Sequence, residues 1–206
     1  MITIEKIDET MFFDAARIIE IAVTAMGLLY LWWEFHANAR MWILGIIMPA
    51  IDIYLYWNKG VYGNMLMSSY YLLVALYGLL VWKGLTGKNK QGRGDDLPIT
   101  HITPWYAVIF CIATVGVWAA TYYWLTTCTD SSVPALDAAT NALSIVGMWA
   151  LARKFLQQWI FWIVYDVLTV YLDWTKDLPF KAAIHVVYAT VAILGFIKWR
   201  NMMARA

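Results

Sequence analysis

Residues 59–82 read KGVYGNMLMSSYYLLVALYGLLVW, and residues 176–199 read KDLPFKAAIHVVYATVAILGFIKW. Each carries about the 20 mostly apolar residues that a helix needs to cross a hydrocarbon core of about 30 Å. Lipid offers no partner to a backbone N–H or C=O, so each stretch is read as a helix. The two stretches also match one another. At an offset of 117, Lys59, Tyr71, Gly78 and Trp82 fall on Lys176, Tyr188, Gly195 and Trp199.

The match extends outward without a gap. Residues 20–84 lie over 137–201 with 15 of 65 positions identical. Four tryptophan pairs are included, Trp32/Trp149, Trp42/Trp159, Trp57/Trp174 and Trp82/Trp199, together with Tyr54/Tyr171. Tryptophan is scarce enough that four coincidences mark a duplication.

Seven apolar stretches can be delimited, at about 12–35, 41–57, 61–82, 104–127, 135–152, 158–174 and 179–199. The repeat covers the first three and the last three. Between them, residues 83–103 form a hydrophilic Gly- and Lys-rich linker, KGLTGKNKQGRGDDLPITHIT. Three spans, one connecting span and three more give both triplets the same direction through the membrane. The expected fold is all-α and polytopic: seven transmembrane helices as two parallel three-helix repeats joined by a linker helix. The expected units are 1–84 (N-terminal repeat), 85–134 (linker and connecting helix) and 135–206 (C-terminal repeat).

The 206 residues are 62% hydrophobic and only 14% charged, with mean hydropathy +0.60. Soluble domains run at about 45–50% apolar and about 25% charged. A net charge of +1 gives no footing for nucleic acid. Cys111 and Cys128 match no metal or redox spacing. The first nine residues hold three acids and a lysine, which predicts no cleavable leader. There is no HExxH, GxSxG, P-loop or GxGxxG, so an enzyme is not expected and no cofactor is implied.

Seven spans put the termini on opposite sides. One set of loops carries Arg40, Lys83, Lys88, Lys90, Arg93, Arg153, Lys154, Lys198, Arg200 and Arg205. The other set carries only Lys6, Arg17, Lys59, Lys176 and Lys181. The positive-inside rule predicts the N-terminus outside and the C-terminus in the cytoplasm. Trp32, Trp33, Trp57, Trp82, Trp105, Trp124, Trp174 and Trp199 sit at span ends, where most are expected to anchor in the interface.

Polar residues at membrane depth are costly, so they are candidates for a site. Helical spacing places Trp159, Trp162, Asp166 and Thr169 on one face of the sixth span. Their repeat mates are Trp42, Gly45, Pro49 and Asp52 on the second. Asp137, Asn141 and Ser144 share a face of the fifth span, opposite Glu20, Thr24 and Gly27 of the first. Lys181, His185 and Tyr188 share a face of the seventh, opposite Asn64, Ser68 and Tyr71 of the third. A carboxylate beside indoles is a cage for a cationic heteroaromatic ligand. Trp159 and Trp162 are expected to stack on such a ring, Asp166 to bind its charge or amino group, and Asn141 and Ser144 to read polar edges. Trp42, Asp52, Tyr71, His185 and Tyr188 complete the candidate set. The plainer readings are internal pairing for Asp166, a hydrogen bond to Tyr71 for Asp52, a pair with Arg17 for Glu20, a helix start for Asp137 and a packed core histidine for His185.

The stretches KGVYGNMLMSSYYLLVALYGLLVW (59–82), ALDAATNALSIVGMWALARKF (135–155) and QQWIFWIVYDVLTVYLDW (157–174) resemble the Pnu family of bacterial vitamin transporters. The last carries that family's W-x-x-W-x-x-x-[N/D] pattern as Trp159, Trp162 and Asp166. The resemblance implies a 3+1+3 bundle like that of full-length SWEET sugar transporters, in the bacterial inner membrane. It implies facilitated diffusion of a vitamin, which a cytoplasmic vitamin kinase then traps, and it is compatible with a homotrimer. Members resembling nicotinamide riboside carriers have Asn where this chain has Asp166. A carboxylate there suits thiamine and the cationic riboside alike; the short chain and a second acid, Asp52, favour thiamine as the cargo, ahead of nicotinamide riboside and then riboflavin.

Overall fold

The computed structural model describes residues 22–85 and 97–205. Seven helices follow in chain order: α1 over 22–35, α2 Met41–Lys59, α3 Tyr62–Trp82, α4 Pro104–Cys128, α5 Pro134–Ala152, α6 Gln158–Thr175 and α7 Pro179–Arg205. Residues 12–21 of the first expected span and the body of the linker lie outside the described residues. The last helix runs six residues past the expected end. Proline opens α4, α5 and α7, where its missing N–H removes no intrahelical bond. Helix α2 continues through Pro49. The chain is an all-helical, polytopic membrane protein.

Five of the described helices, α2, α3, α4, α5 and α7, are long and apolar enough to cross a membrane. Helix α6 is not among them, because Asp166, Thr169 and Asp173 on one buried face lower its hydropathy. Leu66, Leu73, Ile112, Val115 and Val187 are exposed on helix faces, as lipid-facing side chains are. Helix α5 is the most enclosed and α4 the least.

The backbone repeats as the sequence does. The three described non-glycine residues with positive φ are Ala37, Lys154 and Asp177. Ala37 and Lys154 are repeat mates at the α1–α2 and α5–α6 corners, with φ of 52° and 56°. Asp177 is the mate of Gly60, the left-handed cap that ends α2. Side chains repeat too. A Cβ on Gly78 would lie 2.5 Å from Trp42 Cζ2, and one on Gly195 would lie 2.7 Å from Trp159 Cζ2. Each indole therefore fills a socket that only glycine leaves open.

The triplets join through a tryptophan core. Trp42, Trp82, Trp159 and Trp199 are fully buried in one cluster with Met41, Leu151 and Leu156. Trp82 Nε1 donates to the carbonyls of Leu151 and Ala152, at 3.3 and 3.2 Å. Trp199 Nε1 donates to the carbonyl of Glu34 at 3.0 Å. Glu34 and Leu151 are themselves mates, so each triplet reaches into the other by the same bond. Trp82 and Trp199 thus leave the interfacial belt expected of them. An indole at a helix–helix junction buries more area than one at the membrane surface, provided that its N–H finds a carbonyl. Trp57, Trp105, Trp124 and Trp174 are exposed.

The described end of the linker is stitched to the α5–α6 corner. Thr100 N donates to Lys154 O (3.3 Å), Leu156 N to Thr100 O (2.9 Å) and Ile102 N to Gln157 Oε1 (2.9 Å). Arg153 donates to the hydroxyls of Tyr77 and Tyr106, tying α3 and the start of α4 to that corner.

Candidate functional site

A cavity of about 300 Å³ lies between α1 of the first triplet and α6 and α7 of the second. Each helix contributes two turns. Gly27, Tyr30, Leu31 and Glu34 come from α1; Trp159, Trp162, Tyr165 and Asp166 from α6; His185, Tyr188, Val191 and Ala192 from α7. At 1.5 Å per residue the lining extends about 10 Å along the bundle.

One end is polar by pairing. His185 Nδ1 lies 2.8 Å from Asp166 Oδ1, and since a carboxylate can only accept, the imidazole Nδ1–H donates. His185 Nε2 is 4.0 Å from Asp173 Oδ2, two turns further along α6 on the same face. The histidine therefore stands between two carboxylates. Rings form the walls here: Tyr165 and Tyr188 meet His185 edge-on, with centroids 5.9 and 5.6 Å away. The other end holds Glu34, which is 3% exposed and whose Oε1 has no hydrogen-bond partner. Gln158 lies alongside it, fully buried, but neither of its amide atoms makes a hydrogen bond of good geometry.

Of the residues expected from the sequence, Trp159, Trp162, Asp166, His185 and Tyr188 line this cavity. Trp159 does so only at its edge, since its ring is seated on Gly195 and against Trp199. Trp42, Asp52, Tyr71, Asn141 and Ser144 are not in the lining. Trp42 occupies the matching glycine socket in the other triplet. Tyr71 donates to Ser144 Oγ at 3.0 Å rather than to Asp52, and Ser144 donates to the carbonyl of Asn141. Asp137 is in the first turn of α5, accepts from Ser131 Oγ and pairs with Lys176 at 2.7 Å. Lys181 is exposed, and Glu20 lies outside the described residues.

The site is one-sided although its scaffold is symmetric. The mates of the cavity residues on α2, α3 and α5 are drawn together instead. There Tyr70 OH donates to Ile145 O at 2.6 Å and Tyr71 OH to Ser144, closing α3 on α5. On the cavity side Tyr71 is matched by Tyr188, but Ser144 is matched by Gly27. Apart from the neighbouring backbone of α1 itself, no described atom lies within 4 Å of where a Gly27 Cβ would be. The large rings that flank the cavity are also exchanged between mates. Tyr30 packs on Gly45, and Trp162 packs on Gly147, where Gly147 is the mate of Tyr30 and Gly45 that of Trp162.

Tyr30, Glu34, Tyr165 and Asp173 escaped the sequence reading. Glu34 is the mate of an apolar residue, so comparison of the two halves hides it. Its signal was a lone acid four residues after Tyr30 inside an apolar stretch.

The chain is similar to known proteins in sequence and in fold. A protein from Neisseria mucosa named nicotinamide riboside transporter PnuC is 24% identical over 172 residues, 80% of this chain and 65% of its own length. One of the same name from Escherichia coli is 20% identical over 205 residues, 89% of this chain and 85% of its own. A crystal structure of the vitamin B3 transporter PnuC superposes with a TM-score of 0.64 at 22% identity, covering 87% of this chain and 79% of that one. The sequence profile described as nicotinamide mononucleotide transporter matches residues 17–201, and the chain belongs to that family.

Proposed function

We propose that this chain carries nicotinamide riboside across the bacterial inner membrane by facilitated diffusion. Its N-terminus would face outward and its C-terminus the cytoplasm. The two triplets rock about the tryptophan core and expose the cavity to each side in turn. The observation that supports this reading is a ring-walled cavity between triplets with a histidine-oriented carboxylate in it. A pyridinium ring fits between Trp162, Tyr165 and Tyr188, where its charge meets aromatic faces and Asp166. His185 occupies Asp166 Oδ1, which leaves Oδ2 to accept from the ligand's carboxamide N–H. The names of the relatives weigh toward the riboside and away from the thiamine expected from the sequence.

A second reading, thiamine, is favoured by the two carboxylates, Asp166 and Glu34, on one cavity. Purified protein in liposomes separates the readings. Saturable entry of labelled riboside, without accumulation above the outside concentration and abolished by Asp166→Ala, is expected. Entry of thiamine alone would overturn the riboside. Binding without entry would make the chain a receptor. Accumulation driven by an imposed pH gradient would replace facilitation with coupling.

A further inference from the structure

The polar side chain beside the Glu34 carboxyl is the buried amide of Gln158, and Glu34 Oε1 has no hydrogen-bond partner of good geometry. The bond to Trp199 uses only the Glu34 backbone carbonyl. Leu151 does the same for Trp82 at the mate position, with an apolar side chain that is fully buried. An acid at 3% exposure with an unpaired oxygen is costly in a bilayer, and leucine would serve the fold. The carboxylate is therefore retained for what enters the cavity that it lines.

Its position defines the contact. Glu34, Trp159 and Trp199 share one level: Trp199 Nε1 bonds Glu34 O, and the Trp159 and Trp199 rings meet at 5.5 Å. Asp166 and His185 lie two turns away at the opposite end, with Tyr30, Trp162 and Tyr188 between. A ligand held at its ring by Asp166 presents its far end to Glu34. A carboxylate there is an acceptor with two adjacent oxygens, the complement of two adjacent hydroxyl donors.

We infer that Glu34 is a specificity-determining residue that accepts hydrogen bonds from the cis-diol of a nucleoside's sugar, while Asp166 and the ring walls hold the base. This rests on the riboside reading above. The sugar thereby becomes part of what the site recognises, and a free base is a poor ligand. Carboxylates read ribose hydroxyls in the same way in dinucleotide-binding folds.

The test compares nicotinamide riboside with 1-methylnicotinamide, which keeps the cationic ring and carboxamide but lacks the sugar. Both are titrated by tryptophan fluorescence or competition on native protein, Glu34→Leu and Glu34→Gln. Glu34→Leu copies the mate position, and its thermal unfolding should match or exceed that of the native protein. The native chain is expected to prefer the riboside by about tenfold or more. In Glu34→Leu that preference should collapse through loss of riboside affinity, with the methyl compound within about threefold of native. Glu34→Gln, which keeps one acceptor oxygen, should fall between. Equal loss of both ligands would mean that Glu34 serves the cation, and unchanged riboside affinity would mean that it serves neither; each overturns the inference while leaving the carrier reading standing. A native chain that binds no riboside would overturn the riboside reading itself.

Discussion

Trp82 and Trp199 meet at the junction of the two triplets, ring centroids 6.0 Å apart and planes at 57°. They are repeat mates, so this contact lies where the two triplets exchange places. Around it the pattern is reciprocal. Trp42 meets Trp82 edge-on at 5.7 Å, and Trp159 meets Trp199 edge-on at 5.5 Å. Each central indole then donates across the junction to the other triplet. The junction is buried and hydrogen-bonded, whereas the cavity beside it has room for a ligand. A rocking carrier needs both a fixed pivot and a site that changes access, and this core has the properties of a pivot.

Removing one donor should expose the coupling. Trp82→Phe removes the indole donor from the carbonyls of Leu151 and Ala152, and Trp199→Phe removes it from Glu34 O. Each should cost about 1–2 kcal/mol of stability. Because the two rings touch, the double variant should depart from the sum of the singles. Thermal unfolding in detergent measures all three. Additive or negligible losses would show that the indole bonds do not hold the triplets together.

The glycine sockets give a second, symmetric test. A methyl group on Gly78 or Gly195 would stand 2.5 or 2.7 Å from an indole that is buried on every side. Overpacking of this kind costs about 1–3 kcal/mol. Gly78→Ala and Gly195→Ala should therefore lower the unfolding temperature by similar amounts. A loss confined to one of them would mean that the two sockets are not equivalent in solution.

The fold was legible because membrane spans announce themselves by length and hydropathy, and because tryptophan pairs such as Trp42/Trp159 survive in both halves. The glycines that seat them, Gly78 and Gly195, were visible as another identical pair. The site was legible only in part, for a reason the structure supplies. Symmetry located the scaffold, but the cavity depends on positions where symmetry fails: Gly27 against Ser144, Glu34 against Leu151, His185 against Ser68. Reading polar residues as matched stripes therefore brought Asn141, Ser144, Asp52 and Tyr71 into the candidate set, and the structure places them outside the lining. Helical spacing on α6 alone, independent of the repeat, joins Trp162 to Asp166, and both line the cavity.

The acid at Asp166 can be separated into shape and charge. Asp166→Asn keeps an oxygen that accepts from His185 and restores the Asn that the resemblance associates with riboside carriers. Under the riboside reading, Asp166→Asn should bind nicotinamide riboside within about threefold of native, and Asp166→Ala should lose about tenfold or more. Calorimetric or fluorescence titration reads both. A loss as large in Asn as in Ala would mean that the negative charge itself is required, which would move the balance toward thiamine.

The asymmetry that opens the cavity can also be reversed. Ser144 receives the hydroxyl of Tyr71 and, with the Tyr70–Ile145 bond, draws α3 onto α5. Gly27 and Tyr188 are the matching residues on the open side, and space around Gly27 is free among the described residues. Gly27→Ser should therefore fold normally, since nothing crowds the new side chain, and should offer Tyr188 the partner that Tyr71 already has. Closing that gap shrinks a cavity of about 300 Å³ at its polar end. Riboside affinity is expected to fall by about tenfold or more, the equivalent of about 1.4 kcal/mol, with unfolding temperature unchanged or raised. Native affinity in Gly27→Ser would place the ligand elsewhere, and with it the whole assignment of this cavity as the transport site.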